Sequence, residues 1–224
     1  MARRLPAFAA LVTAFVATVS AGTSAEAPGA FAPLSTLGHL RPAPYPGDPG
    51  PELVPIPAAR VLAPPASTAR AGKPVDGIRC EFNARVVFHV HIHLTLFVDG
   101  KQRALPAGIG IWPPLGPENY RNGQFGITRG NCFSWLSTHY RDGIIHTEAP
   151  VRRTFLLGQF FDLWGQPLSR SRVGPARGQV TVIVGRRVWT GDPRRVPLAA
   201  HAQIQLEVGS PLVAPETIEF PGGF

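Results

Sequence analysis

The clearest pattern of apolar and polar positions runs from Arg85 to Val98. Apolar and polar residues alternate there, a period of two that predicts a β-strand with one face in a core. The apolar residues of one face are Val90, Ile92, Leu94 and Leu96. Asp99-Gly100 follows and predicts a tight hairpin turn into a second strand near Gln102 to Leu105.

Later segments repeat this strand and turn pattern. A second hairpin is predicted from Cys132 to His139 and from Ile144 to Glu148, around the turn at 140–143. A third is predicted from Gln179 to Val184 and from Arg187 to Trp189, and a last strand from His201 to Val208.

One helix is predicted between the second and third hairpins. Its apolar positions recur at helical spacing, at Leu156, Leu157, Phe160, Phe161 and Trp164. Thr154 is the expected N-cap and Gly165 the expected end. The pattern predicts an α+β fold, a small and mainly antiparallel β domain with one amphipathic helix. Hairpins on both sides of a helix suggest a β-grasp-like arrangement.

The N-terminus has the order of a secretory signal peptide. Arg3 and Arg4 precede a mostly apolar stretch from Leu5 to Val19, and small residues follow it. This predicts a signal peptide over 1–25 and export to the periplasm or the extracellular space. The apolar stretch is shorter than the ~20 residues that a membrane span needs, so no stable transmembrane anchor is expected after cleavage.

Composition separates the rest of the chain into two parts. Residues 28–74 hold 12 prolines in 47 residues, a composition typical of extended, disordered linkers. We therefore predict a disordered Pro/Ala-rich linker over 26–74 and a single His-rich α+β domain over 75–224. The formal net charge of +8 comes mostly from scattered arginines. Nucleic-acid binding usually shows a clustered basic patch and a reader motif, so nucleic acid is not an expected partner.

Five of the seven histidines come from two of the predicted strand pairs. His89, His91 and His93 share one face of the first strand. A turn at 140–143 would place Ser137 opposite His146, so that His139, His146 and Glu148 share a face of the second hairpin. If the two hairpins pair, the imidazoles and the carboxylate converge.

Imidazole with carboxylate is a donor set for a transition metal, with copper and zinc as the leading ions. The candidate metal ligands are His89, His91, His93, His139, His146 and Glu148. The alternatives are a hydrogen-bonded structural histidine cluster and a plain polar surface, since histidine is intermediate in burial.

Cys80 and Cys132 are the only cysteines. In an exported protein they favour one disulfide, which would close a loop of about 50 residues and stabilise the fold by roughly 4 kcal/mol. The alternative is a thiolate ligand for copper.

Several of these motifs together resemble a family of uncharacterised exported prokaryotic proteins. The resemblance covers roughly Pro74 to Gly209. Its motifs are the His89-Val90-His91-Ile92-His93-Leu94 strand, Cys132-Phe133-Ser134-Trp135-Leu136, Gly143-Ile144-Ile145-His146-Thr147-Glu148 and Leu157-Gly158-Gln159-Phe160-Phe161-Asp162. It implies no established activity. The family's usual His-Thr-His-Asp is Ser137-Thr138-His139-Tyr140 here, so the resemblance implies one candidate ligand and one acid fewer.

Three functions fit these observations. The first is an exported copper- or zinc-binding protein with a metal ion as its partner. The second is a metal-dependent enzyme in which three histidines hold the ion and Glu148 is the general base. The third is a non-catalytic interaction domain whose histidines respond to pH. The sequence alone does not decide whether the protein is an enzyme, and it identifies no protein partner.

Overall fold

The computed structural model describes residues 30–65, 72–83, 85–119 and 125–224. The predicted signal peptide, 1–25, lies outside these residues. Among the described helices, none is long and apolar enough to cross a membrane.

The described residues form one α-helix, α1 Leu157–Trp164, and twenty mostly short strands. In chain order the strands are β1 Phe31–Pro33, β2 Asp48–Pro49, β3 Pro55–Ile56, β4 Cys80–Glu81, β5 Phe88–Val98, β6 Lys101–Arg103, β7 Ile111–Leu115, β8 Glu118–Asn119, β9 Phe125–Gly126, β10 Arg129–Ser134, β11 Leu136–Ser137, β12 Ile144–Ala149, β13 Phe155–Leu156, β14 Leu168–Ser169, β15 Arg172–Val173, β16 Ala176–Arg177, β17 Val180–Val184, β18 Arg187–Trp189, β19 Pro197–Leu198 and β20 Gln203–Val208.

The main sheet has the strand order β1-β18-β17-β20-β5-β12-β11, with β6 also paired to β5. The β20–β5 pair is parallel, and the other pairs of this sheet are antiparallel. The predicted α+β class, mainly antiparallel with one helix, is confirmed. The strands β5 and β20 are parallel neighbours, and α1 lies between the flanking hairpins in the chain; the β-grasp-like arrangement stays a prediction.

One face of this sheet packs against α1, and we call it the helix face. Ile92, Leu94 and Leu96 of β5 share one apolar cluster with the helix residues Phe161 and Trp164. Both helix residues are fully buried. Burial of each such side chain contributes about 1.5–3 kcal/mol relative to exposure, so the alternating apolar positions of β5 hold the helix on the sheet.

The helix begins later than the sequence predicts. Thr154 is not its N-cap, because Phe155–Leu156 pairs with Pro197–Leu198 as a strand and the helix begins at Leu157. The Gln159 side chain accepts a hydrogen bond from the Leu156 amide at 3.0 Å. Gly165 ends the helix in the left-handed region, with φ 71°, as predicted.

The opposite side of the sheet, which we call the histidine face, is covered by the chain after β20. Polar side chains on β20 hold this covering segment. Gln203 Oε1 accepts from the Ile218 amide at 2.7 Å, and Gln205 Oε1 accepts from the Glu216 amide at 2.9 Å. The face is therefore polar and yet largely buried.

Residues 30–65 also pack on the domain. Arg41 pairs by its main chain with Leu212 and Ala214, β1 extends the sheet beside β18, and Val54 is fully buried. This differs from the disordered linker predicted over 26–74. The composition argument counts the apolar surface that a segment buries by itself, whereas this segment uses main-chain partners and apolar surface that the domain supplies.

Cys80 and Cys132 form the predicted disulfide, with their Cα atoms 5.3 Å apart. It joins β4 to β10, which also pair by hydrogen bonds. Because both sulfurs are used in this bond, neither cysteine is a metal ligand in this structure.

Candidate metal centre

Strands β5 and β12 pair directly, and their register brings the two histidine segments together. His91 lies opposite His146, and His89 lies opposite Glu148. On the other side of β12, Ser137 of β11 lies opposite His146, as the turn length predicted. Residues opposite one another on adjacent strands point to the same face, so three neighbouring strands contribute to one row of polar side chains.

Three histidines of this row form what we call the outer set: His89, His91 and His146. One ligand atom from each lies within 4.8 Å of the other two. The rings of His89 and His91 are 4.5 Å apart with 60° between their planes, and those of His91 and His146 are 4.8 Å apart with 86° between them. Rings in such different planes can direct their nitrogen lone pairs toward a common point.

A second group, the inner set, consists of Glu52, His139 and His146, and its ligand atoms also lie within 4.8 Å of one another. Glu52 Oε1 is 3.1 Å from His146 Nε2 and 3.5 Å from His139 Nδ1. The two imidazoles stack with their ring centres 4.2 Å apart. A single carboxylate oxygen therefore lies where two imidazole nitrogens converge.

Burial and charge shift the pKa values of these groups. Burial, together with the smaller effects of the neighbouring His146 and His89, lowers the pKa of His91 to about 3. Burial also lowers the pKa of His146, against an opposing hydrogen bond to Glu52. Burial by itself would raise the pKa of Glu52, but the hydrogen bonds and the electrostatic attraction of His139 and His146 together outweigh burial and lower this pKa to about 2. Near neutral pH, His91 is thus an uncharged imidazole and Glu52 a carboxylate, the forms that bind metal ions.

Two imidazole nitrogens of the cluster are buried without a hydrogen-bond partner among the described residues. They are Nδ1 of His91 and Nε2 of His139. A buried polar atom left unpaired costs about 1–3 kcal/mol. Such atoms call for an explanation, and coordination of an ion would satisfy them.

Carboxylates accompany the histidines on both sides of the cluster. Glu148 Oε1 lies 3.6 Å from Nε2 of the half-exposed His89, and Glu52 Oε1 lies next to Nε2 of His146. Metal-binding histidines usually donate their second ring N–H to a carboxylate or a carbonyl, which fixes the ring orientation. Both acids are placed to act in this way.

The cluster opens into a cleft of about 380 Å³ lined by His89, His91, His139, His146, Glu148 and the residues Gly222, Gly223 and Phe224. The Phe224 ring packs edge-on against His91, with the ring centres 4.0 Å apart. Phe224 O lies 2.9 Å from Nε2 of His201. His201, outside the predicted ligand group, thus helps to hold the aromatic side chain that covers part of the site.

His93 lies apart from both sets, although it shares a strand face with His91. Its Nε2 is 3.1 Å from the Asp142 carbonyl oxygen, and a Cβ on Gly143 would come within 3.0 Å of its ring. Burial lowers the pKa of His93 to about 4, with the Asp142 carbonyl acting in the opposite direction. The structure thus does not bring His93 together with the other predicted ligands, because the turn after β11 closes over its ring, and its role as a ligand stays a prediction.

Asp142 is an acid that sequence reasoning did not single out. Its Oδ1 accepts from the Ile144 amide at 3.0 Å. Burial raises the pKa of Asp142 well above its usual range, and the nearby charge of Glu52 raises it further. The hydrogen bond to Ile144 fixes the turn that leads into β12.

Five of the six predicted ligands, all except His93, lie close together in the structure. Glu52 was not among the predicted ligands. This carboxylate lies in a Pro-rich stretch that was expected to be disordered. The local signal was an acid beside an apolar group of Leu53, Val54 and Ile56. Strand alternation cannot connect that signal to residues almost a hundred positions away.

No protein-family model, no curated protein and no solved structure matches the chain. The site is therefore interpreted from its own geometry, in which histidines and glutamates are grouped closely enough to hold a metal ion.

Proposed function

We propose that the protein is an exported metal-binding protein that holds one first-row transition-metal ion, zinc or copper, in the histidine cluster. The observation that carries this proposal is the convergence of His89, His91 and His146 from two paired strands, with ligand atoms within 4.8 Å of one another. Buried, unpartnered nitrogens on His91 and His139 support it.

The donor types support zinc and divalent copper. The cluster consists of imidazoles and carboxylates, which suit these ions, whereas calcium takes oxygen ligands. The sulfur donors that favour monovalent copper are absent from it, since both cysteines form the disulfide.

Export is supported by two independent features. The N-terminal sequence has the order of a signal peptide, and the disulfide between Cys80 and Cys132 is of a kind that persists in oxidising compartments. In such a compartment the cluster would meet ions that the cytoplasm keeps scarce.

The enzyme alternative, in which Glu148 is the general base, has less support than metal binding alone. Its carboxylate lies 3.6 Å from Nε2 of His89, where it can orient that imidazole, and no arrangement of the described residues points to a substrate. The pH-responsive alternative is also less well supported, because burial lowers the pKa values of His91 and His146 away from neutrality.

Metal analysis of the purified full chain tests the proposal. After incubation with Zn²⁺ or Cu²⁺ and dialysis, we expect stoichiometric metal in the wild type and little in His146→Ala or in the His91→Ala/His139→Ala double variant, each of which removes a ligand from both sets. His39→Ala is the matched control, because His39 is an exposed histidine outside the cluster. Absence of bound metal in the wild type, or equal metal in all four proteins, would overturn the proposal.

A further inference from the structure

The two ligand sets overlap, and this overlap has a consequence that rests on the proposed function. His146 belongs to both the outer set and the inner set. A site built to store or to be stabilised by one ion needs only a single closed set of about four ligands. Here the chain offers two sets joined by one shared imidazole.

The shared imidazole limits the cluster to one ion at a time. A neutral imidazole carries its proton on one nitrogen and has a lone pair on the other, so His146 can bind one ion through that lone pair. Two divalent ions beside the same ring would also repel each other strongly in a partly buried site. The two sets are therefore alternatives for the same ion.

The sets differ in how far they are open to solvent. In the outer set, the His89 side chain is 45% exposed. In the inner set, the side chains of Glu52, His139 and His146 are only 13%, 20% and 6% exposed. An ion from solvent can reach His89 first, whereas the inner ligands lie deeper under the segment that carries Glu52.

The sets also differ in charge. The outer set consists of three imidazoles, and the inner set includes the Glu52 carboxylate. A carboxylate attracts a divalent cation directly, and the attraction grows as water is excluded. The outer set therefore favours rapid exchange, and the inner set favours tight retention.

We propose that the outer and inner sets are two positions of a single ion, entered through His89 and closed by Glu52, so that the protein is a reversible metal carrier. In the exchange step the ion loses its bonds to nitrogens of His89 and His91 and gains bonds to a His139 nitrogen and a Glu52 oxygen. His146 remains bound throughout. The charge of the ion does not change, and no proton is lost, because each neutral imidazole binds through the nitrogen that carries its lone pair and Glu52 binds as a carboxylate.

The test separates uptake from release in the full chain with Zn²⁺ as the probe. The variants are His89→Ala, which removes the exposed ligand, and Glu52→Gln, which removes the inner charge. Zinc stoichiometry is measured after dialysis, and stopped-flow experiments measure zinc uptake and release to a chelator. His39→Ala is the control for surface substitution, and Glu52→Asp, which keeps the carboxylate, accompanies Glu52→Gln in case the amide variant folds poorly.

We expect one zinc per chain in the wild type and in both variants. His89→Ala should slow uptake about tenfold with little change in release. Glu52→Gln should speed release and raise the zinc Kd about tenfold, a difference of about 1.4 kcal/mol. Glu52→Asp should lie between Glu52→Gln and the wild type.

Other outcomes overturn the inference. Two zinc ions per wild-type chain would show that the sets are separate sites. Loss of all binding in both variants, with one ion still bound by the wild type, would show one composite site and leave the proposed function intact. Unchanged kinetics in both variants would show that neither residue acts in transfer. No binding by the wild type would overturn the proposed function itself.

Discussion

The two faces of the main sheet are built from the same strands and serve different purposes. On the helix face, Ile92, Leu94 and Leu96 pack against α1 in a cluster of apolar side chains. On the histidine face, alternate residues of β5 are polar and include His91 and His93, both buried. The contrast shows that burial alone does not define a core. One face gains stability from apolar area, and the other holds polar atoms whose hydrogen-bonding needs are only partly met.

The largest expected effect comes from breaking the helix face. Phe161→Ala removes a fully buried ring of α1 and should lower the free energy of unfolding by about 3–5 kcal/mol. Urea denaturation measures this change. The matched control is Phe82→Ala, whose ring is 71% exposed and whose loss should change stability by less than about 0.5 kcal/mol. Zinc uptake by the folded fraction of Phe161→Ala should equal that of the wild type, and a clear loss would mean that the two faces are coupled.

The second-largest effect concerns His93, the buried histidine that the turn before β12 encloses on the histidine face. The pKa of His93 falls from 6.5 to about 4 in the folded protein, so the unfolded chain binds a proton first as the pH falls. The contribution of His93 to stability is therefore greatest above pH 6.5 and is lost as the pH falls toward about 4. Its size is on the order of 3 kcal/mol.

His93→Leu checks this sign. Urea denaturation across the same pH range should show a shallower fall in unfolding free energy for the variant than for the wild type, whatever the difference between them at neutral pH. Parallel pH profiles would contradict a neutral, buried His93.

The third effect is the stability that an ion adds to the histidine face. Zinc at about 100 times its Kd should stabilise the folded protein by about 2.7 kcal/mol, because the ion binds the folded state. Thermal unfolding with and without Zn²⁺ measures this as a rise in Tm. In His146→Ala the rise should disappear, and an undiminished rise there would place the ion elsewhere.

The smallest effect concerns the aromatic cover of the cleft. The Phe224 ring is half-buried against His91, so Phe224→Ala should lower the free energy of unfolding by about 1 kcal/mol or less. It should nevertheless speed zinc release to a chelator, because it uncovers His91. Slower release than in the wild type would show that the ring does not shield the site.

Much of the helix face could be predicted from the sequence, because its information is local. Alternation from Val90 to Leu96, the Asp99-Gly100 turn and the helical spacing around Phe160 and Trp164 all act within a few residues. The start of α1 could not be predicted, since Phe155 and Leu156 are held extended by the distant β19. Local propensity is a weak guide where a tertiary partner decides the backbone.

The candidate site could be predicted only in part, because its completion depends on long-range contacts. Strand faces grouped His89, His91, His139, His146 and Glu148, and pairing of β5 with β12 brought these groups together. Strand faces also grouped His93 with these residues, but the turn before β12 encloses its ring and separates it from the other histidines. Glu52 came from a segment whose composition indicated disorder, and its contacts with His139 and His146 are made across almost a hundred residues.

The position of β20 in the sheet also sets an order of events. It lies between β5 and β17 at the middle of the sheet, although it is the last of these strands in the chain. Until it pairs, the strands β6, β5, β12 and β11 are not joined to β17 and β18, and such non-local pairing forms slowly. The segment that covers the histidine face, held by Gln203 and Gln205 of β20, is therefore the last part of the candidate site to be placed. Under the proposed function, an ion is enclosed only after β20 has joined the sheet.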